Sequence, residues 1–262
     1  MKDSLARRLE IAQTIVHEAA RIAMTMRPQS GGPQGTLKHA QDWLTETDEK
    51  VENFISQQIQ NAFPEDGFQG EEKGKTRTGT LRWVVDPIDG TSNYARGRER
   101  WCVSLGLMEG DKPLLGIVEA PCLNEIYTAR LGHGAFMNGK PIKASTVTDP
   151  KIAMVELGWS HVSKIDAFQS NAKAILEMGA MIRTLGSGTM ALVDVASGRS
   201  DGHLEMAINL WDVAAALVLL EEAGARVSPF LRDGGLDQMT PILAAAPGIA
   251  DRLSQTLNIT LL

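Results

Sequence analysis

Three acidic clusters stand where apolar stretches of the sequence end, and loops at such places hold functional side chains clear of a core. The first is Gly70-Glu71-Glu72, between Phe68 and Lys73-Gly74-Lys75-Thr76. Alone it reads as two solvated glutamates. The second, Asp86-Pro87-Ile88-Asp89-Gly90-Thr91, directly follows apolar Trp83-Val84-Val85. Its two carboxylates, three residues apart, flank a proline that fixes the backbone and precede a glycine that lets it turn. Proline also removes an N–H, which leaves the Ile88 carbonyl free to point at a cation. Asp89-Gly90-Thr91-Ser92 suit the start of a helix whose open N–H groups would meet a phosphate. Hard oxygen donors of this kind fit Mg²⁺ rather than a softer metal. An Asp-Pro turn in which Asp89 caps a helix accounts for one carboxylate, but not for both together with the Gly-Thr. The third cluster, Trp211-Asp212, begins a long apolar stretch. A capping aspartate explains it well. Capping and metal ligation are compatible, because both put the carboxylate at the mouth of the helix.

Carboxylates that bridge two cations suit phosphoester hydrolysis, which needs an in-line water, neutralised charge and a stabilised leaving group. That chemistry requires no cysteine or histidine nucleophile. His17, His39, His133, His161 and His203 are scattered and read as surface or packing residues. Gly186-Ser187-Gly188-Thr189 looks like a phosphate loop but lacks the lysine of a P-loop. The methionine-bearing segments read as core. Arg96, Arg98 and Arg100 read as a solvated loop, with contact to an anionic substrate as the alternative.

The elements that would position these groups change character along the chain. Leu5, Leu9, Ala12, Val16, Ala19 and Ala23 predict an amphipathic helix from Ser4 to Met26, ended by Pro28 and Gly31-Gly32-Pro33. A second helix begins at Thr47-Asp48-Glu49 and closes at Pro64 and Gly67, so the chain reads as all-helical to that point. Strands are expected at Leu81–Val85, Trp101–Met108, Leu114–Glu119 and Glu125–Ala129. Glu109-Gly110-Asp111-Lys112 would turn a hairpin, with further turns at Gly132, Gly134 and Asn138-Gly139. Beyond a seam near Ser145–Lys151 the pattern alternates. It gives strands at 153–158, 181–185, 202–206, 225–228 and 242–245, and helices at 165–178, 189–196, 211–223 and 248–257. Gly224 serves as a helix stop. The division is 1–147, carrying the first two clusters, and 148–262, carrying the third, in one compact unit with the site between its halves.

The chain has 262 residues, 43% of them apolar, with 26 basic and 32 acidic side chains and a net charge of −6. The acidic balance argues against a nucleic-acid groove and against an anionic membrane as partner. Cys102 and Cys122 are the only cysteines, too few for a disulfide framework and consistent with a reducing compartment. The start, MKDSLARRLEIAQ, places charges where a signal peptide is apolar. The longest apolar run, Val213–Leu220, is stopped by Glu221-Glu222, well short of the roughly 20 residues that span a bilayer. The expected location is cytoplasmic.

Taken together, GEE at Gly70, DPIDGT at Asp86 and WDVAAA at Trp211 resemble the inositol monophosphatase family of Mg²⁺-dependent phosphatases. Thr45-Glu46-Thr47-Asp48, Gly134-Ala135-Phe136-Met137-Asn138-Gly139 and Gly224 add to the match, whose order and spacing hold across nearly the whole chain. The resemblance implies a five-layer α/β/α/β/α sandwich and usually a homodimer. It implies that Glu71, Asp86 and the Ile88 carbonyl hold one Mg²⁺ and that Asp86, Asp89 and Asp212 hold a second. Glu71 also helps place a third, weaker ion. Thr91 would help activate water with Asp48 behind it. Gly90, Thr91 and Ser92 would hold the phosphate, bordered by Asp89 and Asp212. Gly188 and Thr189 would lie beside the substrate, and Glu205 would accept a bond from its hydroxyl. Two departures leave the alcohol open: Met190 where many members carry a small residue, and Glu119-Ala120-Pro121 in place of an aromatic-Asp-Pro pattern. The expected substrate is a myo-inositol monophosphate. Histidinol phosphate or another sugar or nucleotide phosphate is the alternative within the same chemistry, and a non-catalytic regulatory or binding module is the alternative outside it. The acidic excess is no obstacle to an anionic substrate, because bound Mg²⁺ inverts the local sign.

Overall fold

Helix α1 (Lys2–Met26) buries Ala12, Val16, Ala19, Ala20 and Ala23 along one stripe, as a 3.6-residue period requires. The structure, a computed structural model, describes residues 2–29, 34–39 and 42–262. Gly31-Gly32-Pro33, read as the stop after this helix, lie outside the described residues. Strands β1 (Thr36–His39) and β2 (Asp42–Leu44) pair antiparallel before α2 (Glu46–Ala62), so the segment expected to be all-helical contains a hairpin. Strands of three or four residues are too short to write a period-two pattern into the sequence. Helix α2 starts in a capping box: the Thr45 side chain accepts the Thr47 N–H, and the Asp48 carboxylate accepts the Thr45 N–H at 2.8 Å.

The next strands are β3 (Gly67–Gly70), β4 (Gly74–Arg77) and β5 (Leu81–Asp89), followed by the single turn α3 (Thr91–Tyr94). Strands β6 (Cys102–Glu109), β7 (Lys112–Ala120), β8 (Glu125–Arg130), β9 (Ala135–Met137) and β10 (Lys140–Pro141) complete an eight-stranded sheet ordered β10-β9-β8-β7-β6-β5-β3-β4. From β5 to β10 it is the expected meander. Strand β3 instead runs parallel to β5, which sets Gly70 beside Val85 and so brings Glu71 to the end of β5.

A second sheet, ordered β12-β11-β13-β15-β14, mixes parallel and antiparallel pairs. It is built in chain order from β11 (Met154–Leu157), α4 (Ile165–Met178), β12 (Met181–Arg183), α5 (Gly188–Ala196), β13 (Gly202–Ile208), α6 (Leu210–Ala223), β14 (Arg226–Val227), β15 (Thr240–Ala245) and α7 (Ala250–Leu257). Three apolar clusters define the layering. The first joins α1 and α2 to the outer face of the eight-stranded sheet. The second packs α5 and α6 between the sheets. The third joins α4 and α7 to the far face of the five-stranded sheet. The result is α/β/α/β/α, as the resemblance implies.

Helix α6 lies unusually close to its sheet. A Cβ on Gly116 would stand 2.1 Å from the Ala215 carbonyl oxygen, and one on Gly106 would stand 2.8 Å from the Ala214 carbonyl carbon. Glycine at these two strand positions therefore lets backbone meet backbone at Ala214 and Ala215, and this contact sets how deep α6 sits on the sheet.

Candidate active site

Along a regular strand, residues three apart face opposite sides of the sheet. Asp86 and Asp89 nevertheless face the same cleft. Asp86 pairs with Ser104 and Asp89 with Cys102, so β5 carries one residue more than β6 across this interval. That bulge re-aims the second carboxylate, and Pro87, which has no N–H to offer a ladder, sits inside it. The Asp86 carboxylate accepts the Ile88 N–H at 3.0 Å and is held there. Gly90 follows at φ +89°, a left-handed conformation that admits the turn into α3. Asp212 arrives from α6. It is the third residue of the helix rather than its cap: Asn209 is the cap, and its N–H donates to Asp212 Oδ2 at 2.9 Å. Carboxylate oxygens of Asp86, Asp89 and Asp212 lie within 4.8 Å of one another.

Burial, then the charges of Glu71, Asp89 and Asp212, push the Asp86 carboxyl well above the usual range. Asp212 is pushed up to about 8 by burial and then by Asp89 and Glu205. Burial raises Asp89 as well, against the pull of its donors. Those donors are the Ser187 hydroxyl and the Thr189 N–H, the latter at 2.8 Å. Three packed carboxylates with raised values form a donor set suited to a hard divalent cation, which supplies the positive charge that no side chain brings to them.

Several expected residues border the cleft. Glu71, Asp89, Gly90, Thr91, Ser92, Gly188, Glu205 and Asp212 all line one cavity of about 600 Å³. No Lys or Arg is among the described residues lining it. Ile88 is fully buried, and its carbonyl accepts the Thr91 hydroxyl at 2.9 Å. The same hydroxyl lies 3.4 Å from Asp48 Oδ1. Asp48 is fully buried, held through its other oxygen by Thr45. Thr189 departs from the expectation of substrate contact. It is fully buried, with its hydroxyl donating to the Asp212 carbonyl at 2.6 Å and its N–H to Asp89, so it ties two carboxylate-bearing segments together from behind. Met190 is likewise fully buried in the core between the sheets.

Other residues become visible only in three dimensions. Glu52, 1% exposed on α2, accepts the N–H groups of Glu72 and Lys73 at 2.8 and 3.2 Å and so holds the turn that carries Glu71. A Cβ on Gly70 would stand 2.1 Å from that carboxylate, which gives the glycine of GEE its physical reason. Asn93 donates to the carbonyls of Arg100, Leu185 and Gly186 and so fastens α3 to the loop before α5. Arg100 is no solvated loop residue. Its guanidinium meets Glu156 at 2.8 Å and Asp194 at 2.9 Å, bridging the segment before β6 to β11 and α5. His203, read as a packing residue, is on the cavity wall. Only the Gly186–Thr189 stretch, His203 and the Arg96, Arg98 and Arg100 group drew notice in the sequence, because each role depends on a distant partner.

A family profile described as the inositol monophosphatase family matches residues 4–259. The chain is 37% identical over 195 residues to the Nus factor SuhB of Xylella fastidiosa, a match covering 74% of this chain and 71% of that one. It is 35% identical over 189 residues to a Thermotoga maritima protein named fructose-1,6-bisphosphatase/inositol-1-monophosphatase, covering 72% of each. A solved IMPase of Thermotoga maritima superimposes with a TM-score of 0.86 at 28% identity, covering 96% of this chain and 97% of that one. The chain belongs to the inositol monophosphatase family.

Proposed function

We propose that this phosphoric monoester hydrolase removes phosphate from a myo-inositol monophosphate or a closely similar polyol phosphate, with two or three Mg²⁺ ions as cofactor. The observation that carries the reading is the gathering of Asp86, Asp89 and Asp212 within 4.8 Å at a cavity lined by no Lys or Arg among the described residues. An anionic substrate enters such a cavity only if cations come with it. Glu71, Asp86 and the Ile88 carbonyl would hold one ion, Asp86, Asp89 and Asp212 a second, and Glu71 would help place a third. When bound, the ions supply charge neutralisation and Lewis acidity. The chain supplies the positioning. The Thr91 hydroxyl, backed by Asp48 at 3.4 Å, orients the attacking water. The main chain at Gly90, Thr91 and Ser92 receives the phosphate. Glu205, pushed up to about 8 by burial and then by Asp89, faces the alcohol. Ser187 and Thr189 hold Asp89 in place.

The chain's halves, 1–147 and 148–262, would act as one unit with this site between them. Lithium sensitivity, a homodimer and a cytoplasmic location belong to the same reading. The deciding experiment is phosphate release by the purified protein with Mg²⁺ from inositol 1-phosphate, histidinol phosphate, fructose 1,6-bisphosphate and a nucleotide 3′-phosphate. Inositol 1-phosphate is expected to have the highest kcat/KM, with inhibition by millimolar Li⁺. Release from none of the four overturns the catalytic reading, and a preference for another ester overturns the substrate.

A further inference from the structure

Helix α2 presents two buried acids on one face, and the motifs of the sequence single out only the first. Asp48 and Glu52 stand four residues apart, one helical turn, so their side chains are neighbours. Asp48 lies behind the Thr91 hydroxyl. Glu52 lies one turn further along, behind the turn that carries Glu71. The Glu72 N–H donates to Glu52 Oε2 at 2.8 Å and the Lys73 N–H to Oε1 at 3.2 Å, so each carboxylate oxygen takes one main-chain donor. The Lys73 ammonium also donates to Asn53 Oδ1, the next side chain of α2. On its other side the same turn is tied to β5. The Glu71 N–H donates to the Val85 carbonyl at 3.2 Å, one residue before Asp86.

A buried carboxylate is costly unless charge-assisted hydrogen bonds satisfy it. If the turn swung outward, Glu52 would lose both of its main-chain donors while staying buried, so the turn is held in one place. Gly70 keeps the backbone close enough for those bonds, since any side chain there would meet the Glu52 carboxylate. The consequence falls on Glu71. It reaches Asp86 closely enough that, after burial, its charge is the first to push that carboxyl up. Carboxylates already gathered in this way bind a cation without first losing the freedom of a loose turn, which is how groups behind the ligands tune a metal site.

We propose that Glu52 is a positioning residue for the cation held by Glu71 and Asp86: through the N–H groups of Glu72 and Lys73 it fixes the Glu71 turn, and so sets the affinity of the site for Mg²⁺. This rests on the metal-dependent reading above. The test measures Mg²⁺ binding by calorimetry without substrate, beside phosphate release from inositol 1-phosphate at rising Mg²⁺. Glu52→Gln keeps the length but turns an amide donor toward one of the two N–H groups. Glu52→Asp keeps the charge but is one methylene too short to meet both. Each is expected to weaken Mg²⁺ binding about tenfold or more. At saturating Mg²⁺, kcat and KM for the ester are expected to stay within about threefold of the wild type, because the loss is in holding the ion. Ile59→Val, in the core beneath the same helix, is expected to lower the melting temperature in EDTA and to leave Mg²⁺ affinity unchanged. Wild-type affinity in Glu52→Gln overturns the proposal, because the two bonds then have no bearing on the metal. Wild-type affinity in Glu52→Asp overturns it too, by assigning the role to charge alone. An equal loss of affinity in Ile59→Val overturns it by assigning the effect to stability. A wild type that binds no Mg²⁺ instead overturns the metal-dependent reading on which the proposal stands.

Discussion

Asp89→Asn is expected to stop turnover and yet to stabilise the metal-free protein at alkaline pH. Asp89 faces the carboxylates of Asp86 and Asp212 within 4.8 Å. Two unit charges at that separation repel by about 3.5 kcal/mol at an effective dielectric of about 20. An asparagine keeps one oxygen for the Ser187 hydroxyl and the Thr189 N–H and turns an amide N–H toward the remaining carboxylates. Repulsion then becomes attraction. Part of the strain is already relieved in the wild type by proton uptake, since Asp212 titrates near 8, and local relaxation takes up more. A net gain of about 1–2 kcal/mol follows, or about 2–6 °C in melting temperature for a chain of this size. The pH dependence has a definite sign. The folded value of Asp212, about 8, lies above its ordinary 3.8, so the folded wild type holds a proton that the unfolded chain releases. Lowering the pH from about 8 toward 4 therefore stabilises the metal-free wild type, and the advantage of the variant shrinks over the same window. Melting in EDTA at about pH 8 and pH 5, alongside phosphate release with Mg²⁺, measures both effects. The expected loss of kcat/KM is at least about 10³-fold. A variant that melts at or below the wild type at about pH 8, or that retains activity within about tenfold, refutes the reasoning.

Removing metal with EDTA is expected to bring phosphate release to background and to lower the melting temperature. Mg²⁺ at about 100 times its dissociation constant restores about 2.7 kcal/mol, and calorimetry showing no shift contradicts metal binding at the folded site. Gly70→Ala drives a methyl group into the Glu52 carboxylate, so a loss of about 2 kcal/mol in urea unfolding and a fall in kcat/KM are expected together. Unperturbed stability in that variant contradicts the close contact. Arg100→Ala leaves Glu156 without its cation and Asp194 with Arg199 at 4.0 Å, with an expected loss of about 3 kcal/mol. Because Glu156 is already pushed up to about 7, it is protonated in acid, and the loss is expected to be larger at about pH 8 than at pH 5.5. A loss independent of pH assigns the effect to Asp194 or to packing.

The carboxylates were legible because each belongs to a local pattern. Asp86 and Asp89 share one bulged strand end, and Asp212 opens an apolar helix, so no long-range information is needed to single them out. The helices with an apolar stripe, α1 and α2, and the meander from β5 to β10 are local in the same sense. What escapes a reading of the chain alone depends on pairing across it. Strand β3 gains its meaning from lying parallel to β5, Glu52 from the turn it caps, and Arg100 from acids on β11 and α5. His203 looks like any histidine until β13 is set against β11, because the character of its surroundings comes from residues dozens of positions away.

The glycines under α6 bear on how such a protein can diversify. Gly106 and Gly116 let the helix rest directly on the sheet at Ala214 and Ala215, so main-chain contact sets the depth of α6 just beyond Asp212, which the Thr189 hydroxyl also holds. Mutations elsewhere on α6 can alter the packing between the sheets without carrying Asp212 away from Asp86 and Asp89. The cavity wall formed by Glu156, His203, Glu205 and Trp159, by contrast, is made of side chains on β11, β13 and the segment after β11, none of which touches that backbone seat. Heritable variation can therefore accumulate in what the cleft recognises while the phosphate-cleaving geometry stays anchored. Substitution of either glycine is the change that would lift α6, and Asp212 with it, off the sheet.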